Sequence, residues 1–309
     1  MIAVEAALQR HGAPIYARRH IIHNRIVVDR LRERGVRFVE EVDEVPPGAV
    51  VVYSAHGVAP SVRIESESRE LTVVDATCPL VNKVHREVQS LVGRGYEVLL
   101  LGHQGHEEVD GVAGEAPDRV HVVWSPEEIR DVAVSDAAKV GWVSQTTLSV
   151  DEVFLRVNWI RQRFPALQDP PSDDICFATQ NRQAAVRAIA PRCDVVLVVG
   201  SETSSNAQRL VEVALESGAA QAHLLESARN LRSAWLDDAG TVGVTSGAST
   251  PDYLVQELLA ALAAQGWDDV EQVTVASENL TFSLPRELAA NASPDAEALR
   301  RHSEPQTSP

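Results

Sequence analysis

Long apolar runs are missing from this sequence, cysteines are few, and cations are outnumbered. Hydrophobic residues make up 44% of the chain and charged ones 23%, the balance of a globular protein, yet no stretch approaches the ~20 consecutive apolar residues of a membrane span. The opening Met1-Ile2-Ala3-Val4-Glu5 has neither a basic region nor a long apolar run, so it does not read as a signal peptide. Against 44 acidic residues stand 28 Lys and Arg, a net charge of -16. Contact with nucleic acid or an anionic membrane needs clustered cations, and neither is expected as a partner. A small phosphorylated ligand stays open, because local donors bind it whatever the overall charge. The three cysteines, Cys78, Cys176 and Cys193, form an odd and sparse set that is no disulfide framework and points to the cytoplasm. Nucleotide loops are absent too: there is no G-x-x-x-x-G-K-S/T, and no G-x-G-x-x-G follows a strand.

What is present is an alternation of short apolar runs and amphipathic stretches. The runs are 49–53, 71–74, 97–101, 121–124, 140–143, 195–199 and 241–244. Continuous, valine-rich hydrophobicity marks strands covered on both faces by helices. Asn24 is placed to cap a helix that Gly35 ends, and Pro60, Pro79, Pro126 and Pro251 stand where first helical turns begin. The pattern is βαβα, hence parallel sheets. Asp75-Ala-Thr-Cys78 and Asp173-Asp-Ile-Cys176 each precede a helical stretch, which suggests duplicated units of about a hundred residues. The proline-rich segment 164–171 fits a boundary between units. From about residue 291 the tail has little apolar content and is expected to be disordered.

In open parallel sheets, ligands bind beyond the carboxyl ends of the strands. Five such ends carry Ser54-Ala-His56-Gly57, Gly102-His103-Gln-Gly105-His106-Glu107-Glu108, Ser144-Gln-Thr146-Thr147-Leu-Ser149, Gly200 to Asn206, and Thr245-Ser246-Gly247-Ala-Ser249. Glycine lets backbone approach a ligand, and Ser, Thr, Asn and helix N-terminal N–H groups donate to phosphate oxygens. Any one of these hydroxyls read alone is a helix cap. Five coincident ends with histidines added favour a floor for a compact polyoxygen ligand. His23, His56 and His106 share that setting. His11, His20, His121, His223 and His302 read as structural or surface residues, and His103 is open between the two. Glu107-Glu108 is either a solvated acidic pair or, if Glu108 turns inward toward His106 and Thr146, a source of a proton donor. Asp75, Asp173 and Asp174 read as helix-start or structural acids. Cys78 and Cys176 stand at helix N-termini, where the macrodipole favours thiolate and hence metal ligation or nucleophilic attack. Cys193, leading into a strand, reads as buried and inert.

Together with Ile22-His23-Asn24, Cys78-Pro-Leu-Val81, Asp174-Ile-Cys176 and Thr179-Gln-Asn-Arg-Gln183, these motifs resemble, in order from residue 1 to about 288, the 4-hydroxy-3-methylbut-2-enyl diphosphate reductases. These catalyse the last step of the methylerythritol phosphate route to isoprenoids. The resemblance implies an α/β fold of three pseudo-symmetry-related parallel-sheet units around a central cavity. The expected division is 1–80 completed by 266–290, then 81–172, then 173–265, with 291–309 a tail. It implies a 4Fe-4S cluster with Cys78 and Cys176 as two of its ligands, and His23, His56, His106, Ser204, Ser205, Asn206 and Ser249 around the substrate diphosphate. Thr146 and Glu108 would position and protonate the substrate hydroxyl. The implied reaction is a reductive dehydration to isopentenyl and dimethylallyl diphosphate, with ferredoxin or flavodoxin supplying electrons.

Two features depart from the family pattern. Its opening strand and Gly-rich loop, which carry a first cluster cysteine, are not in this sequence, whose first residues read as the middle of the following helix. The expectation is an enzyme with a recorded start inside a longer reading frame, because the remaining site is intact; the alternative is a truncated relative that binds a diphosphate without catalysis. A first sheet without its opening strand is expected to bare an apolar edge. The second departure is Glu107, where the motif commonly carries proline, and little consequence is expected there.

Overall fold

The structure, a computed structural model, describes residues 2–19, 21–276 and 282–289. His20, His302, the tail from 291 and part of the expected 266–290 segment lie outside the described residues. The strands are β1 (Ile15–Arg18), β2 (Val36–Val39), β3 (Val50–Tyr53), β4 (Thr72–Asp75), β5 (Glu97–Leu101), β6 (Val120–Val123), β7 (Val140–Ser144), β8 (Val195–Val199), β9 (Gln221–Leu225) and β10 (Val242–Ser246). They form three sheets, ordered β2-β1-β3-β4, β6-β5-β7 and β10-β8-β9, and every pairing is parallel. Among the described residues no helix is long and apolar enough to cross a membrane.

The second and third sheets show why continuous apolar runs become central strands. Along β5, Val98 and Leu100 face a core built with Val84, Val88 and Leu91 of α4 (Pro79–Gly93). The alternate residues Leu99 and Leu101 face Val153, Val157 and Ile160. Those three belong to a later helix, Val150–Arg163. Along β8, Val196 and Val198 pack with Leu210 and Val213, while Val195, Leu197 and Val199 meet Leu254, Leu258 and Leu262. Every residue of both strands is buried, and fully burying one such side chain stabilises the fold by about 1.5–3 kcal/mol.

In the first sheet β1 lies inside, paired with β2 on one side and β3 on the other, and the free edges are β2 and β4. The outer strands β2 and β4 present exposed Arg37 and Thr72, polar groups that blunt a sheet edge. One face packs on Val4 and Ala7 of the opening helix and on Leu288 near the C-terminus. The strands β1, β2 and β9 had no counterpart among the apolar runs. They are four or five residues long and interrupted by Arg, Tyr or His, so only the neighbouring ladder defines them.

Helix starts follow the sequence signals closely. Asn24 accepts a hydrogen bond from the Val27 N–H at 3.1 Å and caps the helix Arg25–Glu33. Pro60, Pro79 and Pro126 are first helical residues. Pro251 is instead the cap of the helix Asp252–Ala263, one position earlier than its spacing suggested.

Candidate active site

In the second and third sheets the earliest strand is central, and its two neighbours leave to opposite sides. The loops beyond its carboxyl end therefore flank the point where strand order reverses, the usual ligand crevice of such sheets. Gly102–Glu108 follows β5 and Gln145–Ser149 follows β7; Gly200–Asn206 follows β8 and Gly247–Ser249 follows β10. In the first sheet His23 follows β1 and His56 follows β3, again adjacent strands.

These loops meet. The rings of His23 and His56 lie 4.6 Å apart, His56 and His106 5.6 Å, and His23 and His106 5.8 Å. Three imidazoles from two sheets thus face one point. The Ser249 hydroxyl reaches the His23 carbonyl at 3.5 Å, and Asn206 accepts from the Ala248 N–H at 3.0 Å while donating to Thr179. Thr147 Oγ1 and Ser205 Oγ, from different sheets, are 3.3 Å apart. Ser204 caps its helix through the Ala207 N–H, so its capping role is real, and its own hydroxyl proton remains to be donated. His103 packs against Trp124 with ring centroids 4.5 Å apart and tilted by 55°, beside the imidazole cluster rather than in it. A cavity of about 470 Å³ opens between His103, His106, Trp124, Thr147, Ser205 and Arg209.

Glu108 is not part of a solvated loop. It is 1% exposed, accepts from the Thr146 N–H at 2.6 Å and from the Thr146 hydroxyl at 3.0 Å, and burial pushes its carboxyl up despite those donors. His106 caps the helix Glu107–Ala113, its Nδ1 accepting the Glu108 N–H at 3.2 Å. Burial, then the charges of His56 and His23, push His106 down to about 3. It is therefore a neutral ring whose free nitrogen carries the proton and donates.

Glu107 corrects an expectation. Its Oε2 lies 3.1 Å from His56 Nδ1, with both side chains about 15% exposed, so it orients a ring of the cluster. Motif matching passed over it because a non-matching residue carries no role from a resemblance. Gly57, next to His56 and with φ +79°, permits the close approach of His85, whose Nε2 would lie 2.7 Å from a Cβ there.

Cys78 and Cys176 cap α4 and the helix Phe177–Ile189. The Cys78 N–H donates to Ala55 O at 3.0 Å and the Cys176 N–H to Thr146 O at 2.9 Å, which seats each thiol beside an active-site loop of another unit or strand. At Cys78 burial works against the helix dipole. Burial raises its thiol more than the Leu80 and Val81 N–H groups lower it, and the nearby Cys176 and Glu108 charges raise it further. Cys193 is buried in the third core, against Gly243, away from the other two. Asp75 bonds Thr77 and Arg63, and Asp174 bonds Lys83 and the Ser144 N–H, both structural placements.

The LytB protein family model matches residues 1–263. The chain belongs to the LytB family. It is 59% identical over 285 residues to a 4-hydroxy-3-methylbut-2-enyl diphosphate reductase of Mycolicibacterium gilvum, covering 92% of this chain and 86% of that one. A reductase of the same name from Nocardia farcinica is also 59% identical, with 92% and 85% covered. Among solved structures, the E-1-hydroxy-2-methyl-but-2-enyl-4-diphosphate reductase of Plasmodium falciparum superposes with a TM-score of 0.88 at 34% identity, covering 98% of this chain and 94% of that one.

Proposed function

We propose that this LytB chain reduces 4-hydroxy-3-methylbut-2-enyl diphosphate to isopentenyl and dimethylallyl diphosphate in the cytoplasm. The observation that carries the reading is convergence: three imidazoles, the Ser204–Asn206 turn, Ser249 and the buried Glu108–Thr146 pair come together at the strand ends, and the helix starts at Cys78 and Cys176 adjoin them through Ala55 O and Thr146 O. Each of three units, divided near residues 80, 172 and 265, contributes to it.

Two thiols at helix N-termini suit iron–sulfur ligation. They offer two corners of a 4Fe-4S cluster, which takes three or four cysteines, and among the described residues no third thiol joins them. Bound there with its ligand set completed, such a cluster would supply electrons and Lewis acidity. The remaining chemistry belongs to the chain. His23, His56, His106, Ser204, Ser205, Asn206 and Ser249 hold the diphosphate through hydrogen bonds. Thr146 orients the substrate hydroxyl, and Glu108, which burial pushes toward its protonated form, delivers the proton with which that hydroxyl departs as water. The balance is one C–O bond broken and one C–H bond formed, two electrons taken up, one proton leaving with the hydroxyl as water and the other added to the allyl carbon. Ferredoxin or flavodoxin supplies the electrons.

Anaerobic reconstitution with iron and sulfide, followed by assay with the substrate and a reduced donor, tests the reading. The expected result is both C5 products. Substrate that binds to iron-loaded protein but returns unchanged would support the diphosphate-binding alternative instead.

A further inference from the structure

The helix that Cys78 caps and the strap that delivers Cys176 are joined by one ammonium group. Lys83, five positions after Cys78, donates to Ser172 O at 2.8 Å, Asp173 O at 2.7 Å and Asp174 Oδ1 at 3.0 Å. That uses all three of its N–H donors. The Asp174 side chain is 0% exposed, and its second oxygen accepts the Ser144 N–H at 2.9 Å, next to the loop that carries Thr146. Asp174 stands two residues before Cys176, whose own N–H is fixed on Thr146 O. The levers from the ammonium to each thiol are short: little more than one helical turn to Cys78 and two residues to Cys176.

We propose that Lys83 is a positioning residue for the two thiols, holding α4 and the 172–174 strap so that Cys78 and Cys176 can bind one metal centre together. The proposal rests on the thiol pairing of the preceding section and adds the group that sets it. An ion pair serving stability alone would have no need to hold two backbone carbonyls of the strap as well. Lysine suits the task because a compact three-donor head can serve three acceptors that converge from different directions, whereas a planar guanidinium favours paired, coplanar ones.

The test uses the full chain without iron and titrates it with cadmium, a thiophilic ion whose thiolate charge-transfer band reports the number of sulfurs bound. Wild type is expected to form a complex involving both thiols, absent in Cys78→Ser; failure at this step would refute the thiol pairing itself. Given that complex, Lys83→Gln is expected to weaken cadmium binding at least tenfold while each thiol still reacts with an alkylating reagent and circular dichroism is unchanged. Lys83→Gln leaves the buried Asp174 without its cation. Should it fail to fold, Lys83→Gln/Asp174→Asn removes that charge and is measured in its place, with a loss of at least threefold expected because a shorter two-donor amide cannot reach all three acceptors. A folded variant that binds cadmium with wild-type affinity overturns the proposal, and shows an ion pair that serves stability only.

Discussion

Replacing Glu108 by Gln removes a proton donor while keeping its shape. The carboxyl is 1% exposed and burial pushes it above the ordinary carboxylate range, so it holds to higher pH than an exposed carboxyl a proton that an amide cannot release. A positioned general acid contributes about 10²–10⁴ in rate, or about 3–5 kcal/mol of barrier. The effect on the fold is smaller. A Gln oxygen still accepts the Thr146 N–H that now lies at 2.6 Å, and the Thr146 hydroxyl can turn to accept from the new amide. The hydrogen-bond count is thus preserved, and the stability change is about 1 kcal/mol or less, a few degrees of Tm at most. The expected outcome in the anaerobic assay is a fall in kcat of at least about a hundredfold, with little change in KM. The pH profile gives a second check. An acid works below its pKa, so raising that pKa extends activity upward, and the falling limb of wild type should lie above the reference glutamate value of ~4.3. Retention of kcat within about fivefold of wild type, a small effect beside that of a positioned acid, would refute the assignment, as would a loss of activity matched by collapse of Tm.

Glu107→Ala removes the partner of His56 at 3.1 Å; for a pair partly open to solvent about 1 kcal/mol is at stake, so KM for the diphosphate should rise about fivefold with kcat nearly unchanged. A lower KM would show that carboxylate repulsion dominates. Glu87, on α4, has an unpartnered buried oxygen and is pushed up to about 7 by burial and then by Asp174. The native state therefore binds this proton more tightly than the unfolded chain, and stability falls as pH rises from the ordinary value to about 7. Glu87→Gln should stabilise the fold at pH 8 by about 1 kcal/mol after allowance for exposure, seen as a higher Tm than wild type, and leave Tm unchanged at pH 4; equal shifts at both would argue against the titration. Gly57→Ala meets both a φ of +79° and a 2.7 Å contact with His85 Nε2, and should cost about 2 kcal/mol or more in chemical denaturation. Finally, Cys193→Ala should leave iron uptake intact, whereas Cys176→Ser should not, as iron and sulfide analysis will show.

The sequence alone determined the βαβ alternation, the buried central strands and the strand-end composition of the crevice. These follow from local periodicity and from residues adjacent in the chain: the β5 run Glu97–Leu101 has one covered face for each alternate side chain, and Asn24 needs only Val27 to act as a cap. Motif matches grouped His23, His56, His106 and Glu108, and the three rings lie 4.6–5.8 Å apart. What local signals could not give was decided by contacts across units. The short strands β1, β2 and β9 exist because neighbouring ladders pair them. Glu107 acquired a partner 51 positions away, and Lys83 one 91 positions away, separations at which spacing carries no information. The state of the Cys78 thiol was decided in the same way. A helix N-terminus can be read from sequence and favours thiolate, but the burial that outweighs it belongs to the assembled units.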